Sequence, residues 1–227
     1  MQVQGPKAKD LMRDLFGERV LDLGYYYFMD TALDGMPLIV TRTGWSGEIG
    51  YEIYLRDGSR GDELWERVME AGKPYAIAPT GPSDIRRIEA GILNYGIDIT
   101  LEDNPFEVGL GWQVNLKQEA PFIGKEALRR IKASGVDRKL VGVVIDGDPL
   151  DLNMTRWAVS REGEEVGFVT SAVYSPRLEQ NVGFAMVPTE HAGLETRLAV
   201  SIPGTGKRGA VVSPKPFVDP KKEIPKS

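Results

Sequence analysis

The sequence has 227 residues, 41% hydrophobic and 27% charged, with a net charge of −5, enough chain to bury a substantial core as one large domain or two small ones. That mild acidity gives no sign of a nucleic-acid or anionic-membrane partner, and no apolar run approaches the ~20 residues of a membrane span. Cysteine is absent and histidine occurs once, at His191, which excludes disulfides, thiolate metal sites, a cysteine nucleophile and multi-histidine metal centres, and fits a reducing cytoplasm.

The first residues carry neither a basic n-region nor an apolar h-region, so no secretory signal is expected. Pro6 stands near a helix start, Leu11, Met12, Leu15 and Phe16 form an apolar stripe, and Gly17 is a stop. Residues 19–33, with Tyr25-Tyr-Tyr-Phe28, read as strand material turning at Gly24, and Asp34-Gly35 is a hairpin signal before a strand that starts after Pro37. The run Thr41-Arg-Thr-Gly-Trp-Ser-Gly-Glu-Ile-Gly-Tyr-Glu-Ile-Tyr-Leu55 then predicts strand, glycine corner, strand. Gly44, Gly47 and Gly50 permit tight or positive-φ backbone there. Such a corner holds Trp45, Tyr51 and Glu52 on one support, a carboxylate among flat rings that suits a planar, nitrogen-rich ligand such as a pterin. A hairpin whose aromatics are simply core is the alternative, and spacing leaves both open.

A second helix is expected over about 60–71 with Leu64, Trp65, Val68 and Met69 inward, ended by Gly72 and Pro74. A third follows Ser83 as N-cap and carries Ile85, Ile88 and Ile92 inward. Phe122-Ile-Gly124 leads into a short helix with Leu128 and Ile131, closed by Gly135. Beyond it come six short β-rich runs, 140–145, 157–160, 166–174, 182–187, 196–202 and 209–212, which predict a small antiparallel barrel or sandwich. The fold class is α+β, with domains at 1–135 and 136–220 and a fraying polar tail at 221–227.

Several tempting motifs fail. Trp45-Ser46-Gly47 lacks the spacing of a Gly-x-Ser-x-Gly elbow. Gly204-Thr-Gly-Lys207 reads as a hairpin tip, since Ser201 and Arg208 stand where a phosphate loop needs Gly and Ser/Thr. Gly109-Leu-Gly111 lacks the third glycine of a dinucleotide fingerprint. His191 reads as a solvated loop residue.

Five ordered blocks together resemble the aminomethyltransferase family, the T-protein of the glycine cleavage system and its folate-dependent relatives. They are Arg42-Thr-Gly-Trp-Ser-Gly-Glu-Ile-Gly-Tyr-Glu52; Arg87-Ile-Glu-Ala-Gly91 with Asn94-Tyr-Gly96; Gly109-Leu-Gly-Trp112 with Phe122-Ile-Gly-Lys-Glu-Ala-Leu128; Leu140-Val-Gly142; and Val169-Thr-Ser171 with Ser175-Pro176 and Pro216-Phe-Val218. The resemblance implies part of a folate-binding aminomethyltransferase fold, then a C-terminal antiparallel β-barrel, with one-carbon transfer to tetrahydrofolate. It implies that Glu52 holds the pterin. Trp45 replaces a pocket tyrosine, keeping the ring and losing the hydroxyl. Arg87 lies near the active centre, its alternative being a helix-surface partner for Asp84. Tyr95 is a further pocket residue, and Trp112 is pocket or core. The implied partner is a small one-carbon donor or a lipoyl carrier protein, with neither nucleic acid nor membrane.

Asn104-Pro-Phe-Glu107, Tyr174-Ser-Pro176 and the 91–98 segment lean toward the dimethylsulfoniopropionate demethylase branch. Family members are longer, and the resemblance begins partway in; the portion before it carries an aspartate near the reactive folate nitrogens, so no residue here is assigned to catalysis. A non-catalytic folate-binding module is a rival reading, but its branch carries a cysteine motif that this chain lacks. A β-rich interaction domain with accidental matches is another.

Overall fold

A computed structural model describes all 227 residues, which divide into two compact units: residues 1–87 with 219–227, and residues 88–218. The division falls inside a helix, upstream of the boundary expected at 135.

The first unit is a four-stranded antiparallel sheet backed by helices. Its strands are β1 (Gln2–Gln4), β2 (Phe28–Leu33), β3 (Met36–Thr41) and β4 (Gly50–Leu55), in the order β1-β4-β3-β2. Helices α1 (Ala8–Phe16) and α2 (Gly61–Gly72) supply Met12 and Val68 to a core that includes Val40 and Ile53. Each such side chain contributes about 1.5–3 kcal/mol by leaving water. The Asp34-Gly35 hairpin forms as expected, with Leu33 paired to Met36, so β3 starts one residue before Pro37.

Three local expectations are corrected. Residues Glu18–Asp22 form a 3-10 turn that buries Val20, and extended structure begins only at Phe28. Trp65 is exposed, because Leu64 and Val68 already fill the inward stripe of α2. The tail does not fray. It forms α5 (Glu223–Lys226), whose Glu223 and Ile224 amides donate to the Asp219 carboxylate at 2.9 and 2.8 Å.

Helix α3 (Asp84–Glu89) begins after Ser83, whose Oγ accepts from the Arg86 amide at 3.3 Å, and Ile88 is buried. The second unit continues through an irregular stretch and α4 (Lys125–Ser134) into six strands: β5 (Arg138–Ile145), β6 (Trp157–Arg161), β7 (Glu164–Ser175), β8 (Gln180–Pro188), β9 (Arg197–Ile202) and β10 (Gly206–Ser213). These close as a barrel in the order β10-β5-β8-β7-β6-β9, which removes the free strand edges that a sandwich would leave. Val143, Val159, Val169 and Val200 are fully buried inside it. The Gly204 segment is the β9–β10 hairpin tip. No helix is long and apolar enough to cross a membrane.

Candidate functional site

Alternation along β4 decides what Glu52 faces. Tyr51 and Ile53 are buried against the helices, so Glu52 and Tyr54 point from the opposite face of the sheet. Register places Phe28, Thr41, Glu52 and Gln2 in one row across that outer face, with Asp30, Ile39 and Tyr54 in the next. Phe28 and Tyr54 are both exposed there.

This corrects the expected ring arrangement. Tyr51 does not flank Glu52; it is core, with the Arg42 guanidinium 5.1 Å from its ring centre. The phenol beside the carboxylate belongs to Tyr54, whose hydroxyl donates to Oε2 at 2.9 Å. Strand periodicity could have found it, since residues two apart share a face.

Glu52 is half-buried and held by two further donors. Gln2 Nε2 donates to Oε1 at 2.7 Å, and Thr43 Oγ1 donates to Oε2 at 2.5 Å. The Thr43 hydroxyl also lies 2.6 Å from that of Thr41. A carboxylate offers about four lone-pair directions, so three donors fix its orientation and leave acceptor capacity toward the open face. The Tyr54 phenol is raised above its ordinary pKa chiefly by this hydrogen bond to Glu52.

The glycine corner works differently at each position. Gly47 takes φ 72°, the left-handed region. Gly44 and Gly50 instead make room for Gln4, since a Cβ at either would fall about 2.1 Å from its terminal amide. Gln4 uses that room to donate to the Thr43 carbonyl at 3.2 Å and accept from Ser46 Oγ at 2.7 Å, binding corner to strand. Ser46 is thereby a structural hydroxyl.

Trp45 and Arg87 come together, the guanidinium 5.8 Å from the indole centre. Arg87 is 1% exposed and pairs with Asp84 Oδ1 at 2.6 Å. The Asp84 partnership is therefore real, with the guanidinium buried and the carboxylate partly exposed. Tyr95 lies in the second unit at 65% exposure, and Trp112 at 76% exposure is not core. His191 is not merely solvated, since its Nδ1 lies 2.8 Å from Arg161 Nη1. A surface cleft of about 730 Å³ on the barrel, bordered by Arg161, Glu195, Arg197 and Lys207, contains none of the expected site residues.

Parts of the second and fifth sequence blocks meet as scaffold within the second unit. Asp98 Oδ1 accepts from Thr170 at 2.7 Å and Ser171 at 2.6 Å. Neighbouring strand residues normally point apart; a bulge between Val169 and Ser171 lets both hydroxyls reach one oxygen. Glu89 accepts from Ser175 Oγ at 2.5 Å, and its carbonyl accepts from the Phe217 and Val218 amides at 2.9 Å.

Comparison with known proteins agrees with this architecture. Residues 1–118 match the GCVT N-terminal domain, and residues 138–219 match the glycine cleavage T-protein C-terminal barrel domain. An aminomethyltransferase of Shouchella clausii is 36% identical over 93% of this chain and 58% of its own length. The dimethylsulfoniopropionate demethylase DmdA of Ruegeria pomeroyi is also 36% identical, over 89% of this chain and 55% of its own. The crystal structure of the glycine cleavage system aminomethyltransferase T from Bartonella henselae superimposes with a TM-score of 0.79 at 25% identity, covering 96% of this chain and 59% of that one. The chain thus spans a little over half the length of these relatives. With the first of the two domain models covering more than half of its residues, and the second the barrel, this chain belongs to the glycine cleavage T-protein family.

Proposed function

We propose that this chain serves in tetrahydrofolate-dependent one-carbon transfer, with Glu52 receiving the amino-pyrimidine edge of the pterin. The supporting observation is the carboxylate itself, oriented by Gln2, Thr43 and Tyr54 on an open sheet face beside exposed aromatic rings. Two adjacent N–H donors on a planar ring match its free acceptor capacity, and charge-assisted bonds of this kind are the strong ones. Trp45 offers a ring for stacking, held in place by the Arg87 guanidinium against it. When bound, tetrahydrofolate supplies the nucleophilic nitrogen that takes up the one-carbon unit. The residues named here bind and orient; none is assigned to proton transfer, and orientation is the main contribution expected of them.

Two donors remain in view, an aminomethyl group on a lipoyl arm and a methyl group on a sulfonium. The two curated relatives are equally similar and differ in this respect by name. The 91–98, 104–107 and 174–176 segments favour the sulfonium. A cytoplasmic location and a lipoyl carrier partner go with the first donor.

Calorimetric titration of the purified protein with tetrahydrofolate tests the site, and Glu52→Gln is expected to weaken binding at least about tenfold. No binding by folded protein removes the assignment. Incubation with each donor, followed by mass analysis of the folate, separates the chemistries: 5-methyl-tetrahydrofolate indicates the sulfonium, methylene-tetrahydrofolate the aminomethyl donor.

A further inference from the structure

Arg42 opens the glycine corner and is 3% exposed. Its Nη2 donates to the Pro225 carbonyl at 3.1 Å and to a main-chain oxygen of Ser227 at 2.7 Å, across more than 180 residues of sequence. Its Nε, like the nearby Tyr51 hydroxyl, is buried without a hydrogen-bond partner. A guanidinium so placed is costly, and these two main-chain oxygens are what its hydrogen bonding has to offset that cost.

We infer that residues 219–227 form a strap that positions Glu52 by holding Arg42. The inference rests on the folate reading above and assigns the strap and Arg42 as positioning groups, neither touching ligand. The main chain of Arg42 is fixed as well, its amide donating to the Tyr27 carbonyl and its carbonyl accepting from the Tyr26 amide, both at 3.0 Å. With side chain and backbone both tied, the next residue has little freedom. That residue is Thr43, whose hydroxyl holds Oε2 of Glu52. The strap is ordered from within by Asp219 capping α5. It lies almost wholly beyond the family barrel match, which ends at residue 219.

The test compares the full chain with Arg42→Lys and with a deletion of residues 223–227. Amide exchange is followed without ligand, and tetrahydrofolate affinity is measured with each change also made in a Glu52→Gln background. Exchange over residues 42–46 is expected to rise while Leu38–Val40 and Ile53 stay protected. Affinity is expected to fall about tenfold, with the loss disappearing when Glu52 is already Gln. A synthetic peptide of residues 219–227 should restore protection to the deleted chain. Unchanged exchange at 42–46, or losses fully additive with Glu52→Gln, overturns the strap. Should the deletion fail to fold, Arg42→Lys decides on the same readouts. If the unaltered protein binds no tetrahydrofolate, the folate reading falls and the exchange result alone decides the strap.

Discussion

The hydroxyl of Tyr54 donates to Oε2 of Glu52 from two residues along the same strand, at 2.9 Å. The bond binds the phenolic proton more tightly, so Tyr54 titrates above the ordinary tyrosine range. Ultraviolet titration should show this phenol ionising late and Tyr54→Phe should remove it. Glu52→Gln should return it toward 10.0. A raised pKa means folding stability held below the unfolded value and lost as pH climbs through the folded one. Alkaline unfolding of the wild type should therefore set in above pH 10, earlier relative to neutral stability than in Tyr54→Phe.

Replacing Arg87 with methionine keeps much of its volume but strands the Asp84 carboxylate and takes the cation from Trp45. Losing one member of a mostly buried pair costs about 3 kcal/mol, less whatever solvent returns to the partly open Asp84. Urea denaturation should register the loss, and the altered charge beside the indole should shift Trp45 fluorescence in the still-folded variant.

Much of this was legible beforehand, and the misses have physical causes. Six short β runs separated by turns announced an antiparallel barrel or sandwich, and the family resemblance pointed to the barrel; closure itself rests on pairs of distant strands such as β10 with β5. Reading adjacency in sequence as adjacency in space puts the wrong ring beside Glu52, because a strand sends consecutive side chains apart. Tyr54 was in plain view. Arg42 was not, since the main-chain oxygens that hold it come from the far end of the chain and leave no local signature. The Thr170–Ser171 pair reaches one Asp98 oxygen only through a bulge, which apolar patterning does not reveal.

Lys215 carries a burial penalty that should be removable. Its ammonium lies 5.4 Å from the Phe184 ring centre, and desolvation, only partly offset by Asp98, lowers its pKa from 10.5 to about 8. The unfolded chain thus binds the proton more readily, and stability rises with pH between about 8 and 10.5, staying at its lower level below that window. Lys215→Met should stabilise the protein at pH 7 by on the order of 3 kcal/mol, with the gain fading between about pH 8 and 10.5 and gone above it. Denaturant midpoints measured across that range check both the size and the sign.

Gly183 lies where β7 and β8 press close together. A Cβ there would stand 2.3 Å from the Ser171 carbonyl oxygen, a backbone atom with nowhere to go. Gly183→Ala should cost about 1–3 kcal/mol through forced backbone shifts. Because Ser171 is one of the two hydroxyls on Asp98, amide exchange should quicken at the bulge before elsewhere in the barrel.

The first unit is built from both ends of the sequence, with the whole barrel encoded between them. During synthesis, residues 1–87 leave the ribosome long before 219–227 exist, while residues 88–218 emerge as an uninterrupted stretch. The barrel can mature as it is made, whereas residues 1–87 must wait with an unanchored guanidinium until α5 arrives. The unit begun before the barrel is completed after it.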